Sequence, residues 1–138
     1  MEIPPASSDA ARATMRANRG RDTGPELAVR RALHARGLRY RVDHPLPFDR
    51  RRRADVAFTR AKVAVFIDGC FWHGCPEHGT IPRTNTEFWR AKIARNRARD
   101  VDTTVRLEAM GWAVLRFWEH HPTADAVEAV VRAVTRSR

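Results

Sequence analysis

Two short apolar runs, Ala54–Phe58 and Val63–Ile67, flank the four residues Thr59-Arg60-Ala61-Lys62. They constrain the fold more than any other feature of the chain. Both are short, and together they are rich in β-branched side chains, so they read as buried strands paired through a tight hairpin. The sequence before them predicts a helix over Gly24–Arg36. Thr23 and Glu26 form a capping box at its start, Pro25 suits its first turn, and Gly37 supplies a left-handed stop. Leu38, Tyr40 and Val42 alternate with Arg39, Arg41 and Asp43, which predicts a half-exposed strand ended by Pro45 and Pro47. Downstream, a long helix is expected from Glu87 to Met110, with Gly111 as its stop. Trp112–Trp118 reads as a further buried strand. Pro122 then opens an amphipathic helix, Thr123–Thr135, with Val127, Val130, Val131 and Val134 on its apolar face. The order helix, three strands, helix, strand, helix predicts an α/β fold. A length of 138 residues suits one domain, expected over 14–138, behind a flexible arm at 1–13.

Lys+Arg number 26 against 16 Asp+Glu, a formal net charge of +10. Such a balance suits a polyanion, because each neutralised phosphate releases a condensed counterion. Lys62 and Lys92 are the only lysines, so the basicity is almost all arginine, a bias that genome composition can also produce. No segment is long and apolar enough to span a bilayer, and Met1–Arg12 lacks the apolar centre of a signal peptide. The expectation is an intracellular protein with reduced cysteines, better suited to metal ligation or burial than to a disulfide.

Gly69–Asn85 carries glycines, prolines, histidines and both cysteines without periodicity. Long irregular segments inside compact domains are usually functional. Cys70, Cys75 and His78, with a histidine from Glu119-His120-His121, can supply the four tetrahedral ligands of a structural zinc site. The alternative is two buried free cysteines and surface histidines, but the segment has too few aliphatic residues to hold itself together. Asp55 lies within one hairpin strand and Asp68 ends the other. Carboxylates so placed can hold Mg²⁺ beside a phosphate. His73 is a candidate general base because its ordinary pKa lies near neutrality. Phe71 and Trp72 are adjacent aromatics in a polar segment, with Phe88 and Trp89 at the next helix. They can wedge into a base stack or cover the zinc site. Lys92, Arg95, Arg97 and Arg99 place positive charge along that helix, as a phosphate track would.

The string Asp68-Gly69-Cys70-Phe71-Trp72-His73-Gly74-Cys75-Pro76 strongly resembles the very-short-patch-repair endonucleases. Met15-Arg16-Ala17, Arg21-Asp22-Thr23, Glu26, Pro82, Thr86-Glu87-Phe88-Trp89, Lys92-Ile93, Asn96, Arg99-Asp100, Gly111-Trp112, Val114-Leu115 and Trp118-Glu119 extend the likeness from about Arg12 to His121. The resemblance implies a restriction-endonuclease-like fold, a central mixed sheet flanked by helices, with a structural zinc. It implies Mg²⁺-dependent nicking of duplex DNA 5′ to the thymine of a T·G mismatch, the product of 5-methylcytosine deamination. By the same resemblance Asp55 and the backbone carbonyl of Ile67 hold Mg²⁺, His73 is the base and Glu26 assists. Phe71, Trp72 and Trp89 form the wedge, and Met15 lies on an arm reaching the minor groove; Lys92 and Arg95 are expected to touch DNA from their charge on the helix. Cys70, Cys75, His78 and His120 hold zinc, with Glu77 and His121 as alternatives to His78 and His120. A monomeric bacterial cytoplasmic enzyme associated with the nucleoid is implied, with mismatch-repair proteins as further partners.

The chain departs from the family pattern at Ile67, where threonine can stand, at Asp68, where some members have histidine, and at Gly69, where nucleases of this fold usually have lysine. Two other readings stay open: a restriction-like or structure-specific nuclease of the same fold, and a non-catalytic zinc-dependent DNA-binding module. The Asp55–His73 pair speaks against the last, since a pure binder needs neither group.

Overall fold

A computed structural model of the chain describes residues 24–69 and 83–137. The expected capping residue Thr23, the arm at 1–13 and most of the Cys/His segment lie outside those residues. The elements run α1 (Gly24–Ala35), β1 (Arg41–Leu46), β2 (Asp49–Phe58), β3 (Val63–Asp68), α2 (Thr86–Ala109), β4 (Ala113–Trp118) and α3 (Thr123–Arg136). The four strands form one sheet in the order β1-β2-β3-β4. β1 and β2 are antiparallel, as are β2 and β3, while β3 and β4 run parallel. The sheet is therefore mixed, and the parallel pair is joined by the crossover helix α2, as parallel neighbours require.

Helices cover both faces. On one side Val29 and Leu33 of α1 and Ala126, Val127, Val130 and Val134 of α3 meet Val56, Phe58, Val63 and Val65 of the sheet. On the other, Leu107 of α2 meets Leu46, Ala54, Ala57, Ala64 and Phe66. β3 carries four consecutive buried residues, Val63–Phe66, because it faces a helical layer on each side. α1 and α2 end alike. Leu38 N–H bonds the Leu33 carbonyl and Gly37 N–H bonds that of His34; Trp112 N–H bonds Leu107 and Gly111 N–H bonds Glu108. Both are Schellman closures. They need the positive φ of Gly37 (82°) and Gly111 (86°), as the sequence predicts.

Three strands differ from expectation. β1 begins at Arg41 and passes through Pro45, where the sequence places its end; Val42, expected to face inward, is 37 % exposed. β1 is an edge strand, which tolerates a proline without losing a ladder bond. Leu38 and Tyr40 still pack against the core from the preceding segment, and the Tyr40 hydroxyl donates to the Arg30 carbonyl at 2.7 Å. β2 reaches back to Asp49 through the arginine run Arg50–Arg53, because that half pairs with β1 rather than lying beneath a helix alone. β4 is half-buried rather than buried, since it forms the opposite edge of the sheet.

Candidate active site

The functional geometry starts where β2 leaves β3. Their ladder pairs Val56 with Val65, Ala57 with Ala64 and Phe58 with Val63. One residue before it, the Asp55 side chain takes over: Oδ2 accepts the Ile67 backbone N–H at 2.6 Å. A carboxylate thus satisfies an amide that β2 would otherwise have bonded with its main chain. An extended residue directs its N–H and C=O to the same side, so the Ile67 carbonyl also faces the β2 side of β3. The inside–outside alternation of β2 changes phase here. Ala54 and Ala57 both belong to the α2-side cluster, whereas Val56 and Phe58 belong to the other. On β1, Asp43 faces this position between the pairs Val42–Val56 and His44–Ala54, and it has φ 47°. Arg53 braces the distortion, donating to the Asp43 carbonyl at 2.9 Å with its carboxylate 3.6 Å away. Local irregularities of this kind re-aim side chains beside active sites.

Asp68, one residue beyond Ile67, is 8 % exposed. Nη1 of Arg116 on β4 donates to its two oxygens at 3.1 and 3.2 Å. Glu119 N–H donates to the Asp68 carbonyl at 3.0 Å, and Asp68 is in register with Trp118. The ends of β3 and β4 are therefore level: the chain leads into Cys70 from one and into His120 from the other. Glu26 occupies the first turn of α1, 4 % exposed, with Arg30 Nη1 at 2.8 Å from its carboxylate.

Residues assigned to DNA contact divide along α2. Arg95 is exposed and Lys92 half-buried. Trp89, expected in the wedge, is 1 % exposed and stands edge-on to Phe88 with ring centroids 5.1 Å apart. An interior indole enters a base stack only by first leaving its site. Met15, Cys70, Phe71, Trp72, His73, Cys75 and His78 lie outside the described residues. Of the expected zinc ligands only His120 is described, on the surface beyond β4. Among the described residues no group of three or more His, Cys, Asp or Glu is arranged to hold a metal ion.

Two clusters escaped sequence reasoning. Arg116 is the single charge in an otherwise apolar strand run, and a charge in that setting requires a partner; that signal could have found the first. The second joins β2 to α2. Arg52 donates to Asp102 at 2.6 Å and to Thr103 at 3.0 Å, and Arg106 bonds the same carboxylate at 3.2 Å. Both guanidiniums lie over the Phe48 ring, at 5.6 and 5.5 Å. The Arg52 hydrogen bond, with help from Arg106, holds the Asp102 carboxyl below the usual carboxylate range. No sequence pattern pairs Arg52 with a residue fifty positions away.

A mixed sheet clad by helices on both faces, with a carboxylate in the fork of two antiparallel strands and a strongly basic chain around it, defines an α/β enzyme suited to a polyanionic substrate. The chain belongs to the DNA mismatch endonuclease Vsr family, whose model matches residues 7–78, and it is a DNA endonuclease. It is 49 % identical over 130 residues to the type II nicking enzyme V.NaeI of Lentzea aerocolonigenes, covering 92 % of this chain and 78 % of that one. It is 46 % identical over 108 residues to the type II nicking enzyme V.NmeDIP of Neisseria meningitidis serogroup C, covering 77 % and 71 %. Against the DNA mismatch endonuclease Vsr of Escherichia coli the identity is 39 % over 110 residues, covering 76 % and 66 %. Among the described residues no helix is long and apolar enough to cross a membrane.

Proposed function

We propose that this endonuclease nicks one strand of duplex DNA 5′ to the thymine of a T·G mismatch, with Mg²⁺ as catalytic cofactor and zinc as a structural one. The observation that carries the reading is the Asp55–Ile67 contact. It ties a half-buried carboxylate to the backbone of Ile67, and that carboxylate and the Ile67 carbonyl are hard oxygen donors of the kind Mg²⁺ prefers. Mg²⁺ bound there supplies stabilisation of charge on the phosphoryl oxygens. His73 takes the proton of the attacking water, and Glu26 assists from α1. Phe71 and Trp72 open the step beside the mismatch, where stacking is weakest. Arg95 and Lys92 hold flanking phosphates, and the Met15 arm reaches the minor groove.

Zinc is held by Cys70, Cys75, His78 and His120. Thiolate and imidazole donors suit it, and the level ends of β3 and β4 support a ligand set drawn from the two chain segments that leave them. A protein of this kind acts as a monomer in the bacterial cytoplasm, near the nucleoid, alongside mismatch-repair proteins.

A second reading keeps the chemistry and changes the recognised duplex. It is favoured by the relatives named as type II nicking enzymes, a name that specifies nicking but no mismatch. One experiment separates the two. Purified protein is incubated with Mg²⁺ and end-labelled duplexes that are matched, T·G-mismatched or otherwise mismatched, and the nick is mapped on each strand. A nick confined to the thymine strand of T·G duplexes is the expected result; equal cutting of matched DNA overturns the mismatch assignment.

A further inference from the structure

Asp68 directly follows Ile67, so a second carboxylate stands at the candidate metal site with two possible fates: ligand or structural acceptor. The contacts of Arg116 decide between them. Its guanidinium carbon lies 4.1 Å from the Phe66 ring centroid. Nη1 bonds both oxygens of Asp68 at 3.1 and 3.2 Å and stands 3.6 Å from Asp100 Oδ1. Nε donates to Thr104 at 3.1 Å, and Nη2 donates to the Asp100 carbonyl at 3.3 Å. The guanidinium is thus fixed on β3, α2 and β4 together. It has little freedom to release Asp68, and Asp68, 8 % exposed, has its charge matched where it sits.

We propose that Arg116 is a positioning residue that holds Asp68 as a structural acceptor, leaving the metal to Asp55 and the Ile67 carbonyl. The proposal rests on the reading of Asp55 as a metal-binding group. Its physical content is that the pair acts as a unit. Removing the cation alone strands a buried carboxylate at the metal site, whereas neutralising both members does not. Arg116 also ties the end of β3 to α2 and β4, which keeps the Ile67 carbonyl in place beside Asp55.

The test uses the full chain with its native zinc content and Mn²⁺ as probe, followed by electron paramagnetic resonance, with steady-state nicking measured in parallel. Asp68→Asn is expected to keep the Mn²⁺ site with affinity within about 3-fold of the parent, whereas Asp55→Asn loses it. Arg116→Met is expected to lower kcat by roughly tenfold or more with little change in KM, and Asp68→Asn added to it restores most of that loss. Loss of the Mn²⁺ site in Asp68→Asn overturns the proposal, as does a double variant no better than Arg116→Met. Should Arg116→Met fail to fold, the Mn²⁺ affinities of Asp68→Asn and of the double variant decide the matter. Retention of the Mn²⁺ site in Asp55→Asn is a different result: it removes the metal assignment of Asp55 itself.

Discussion

Replacing Asp55 by asparagine removes one charge and almost no volume, so it separates the fold from the chemistry. The Asn oxygen can still accept the Ile67 N–H that Asp55 accepts at 2.6 Å. What the fold loses is the charge assistance of one hydrogen bond, about 1 kcal/mol or a few degrees of melting temperature. What the reaction loses is an anionic ligand. Metal-centred charge stabilisation supplies several kcal/mol, and each ~1.4 kcal/mol is tenfold in rate, so nicking should fall by about 10²–10⁴-fold. Duplex affinity should stay within about 3-fold, because it belongs to the arginines and one fewer carboxylate repels no phosphate. Single-turnover nicking of a labelled T·G duplex, fluorescence anisotropy and urea melts give the three numbers. Near-wild-type nicking would refute the metal assignment. Collapse of the fold would refute the claim that the Asp55–Ile67 contact costs so little to weaken.

His73→Ala should lower nicking by ~10²–10⁴-fold, the usual worth of a general base, with zinc retained by metal analysis; zinc lost alongside activity would make His73 a structural ligand. Protein purified without chelator should hold one zinc per chain, and His120→Ala should release it and increase proteolysis of the Cys/His segment; zinc-free wild-type protein would end that assignment. Trp89→Ala should destabilise the fold by about 3–5 kcal/mol because the indole is buried. Trp72→Ala should leave the melt unchanged and reduce the ratio of T·G to matched nicking; an unchanged ratio would remove Trp72 from the wedge. The Asp102 carboxyl is held below its ordinary value of 3.8 in the folded chain. Its stabilising contribution is present above that value and is lost as pH falls through the lowered one. Urea midpoints of wild type and Asp102→Asn should therefore differ at neutral pH, with the difference starting to shrink only as pH falls below 3.8 and vanishing below the lowered value; a difference that grows in acid would contradict this.

The sequence by itself determined the elements and their order. Gly37 and Gly111 stop α1 and α2 because only a residue that adopts positive φ freely closes those turns. The valines of α3 recur at helical spacing, and the hairpin runs match the strands at Val56–Phe58 and Val63–Val65. It also singled out Asp55 and marked the nonapeptide that carries the family likeness, because those signals are local. Tertiary structure decided everything that depends on partners distant in the chain. β1 passes through Pro45 because it lies on a sheet edge, a fact of topology. Trp89 is buried while Glu87 and Arg90 near it on α2 are exposed, a difference decided by what the folded chain sets against the helix. Asp68 meets Arg116 forty-eight residues away because β3 and β4 pair in parallel register. A pattern of residue types fixes local backbone preference and amphipathic period, whereas the environment of a charge is set by whatever the folded chain brings beside it.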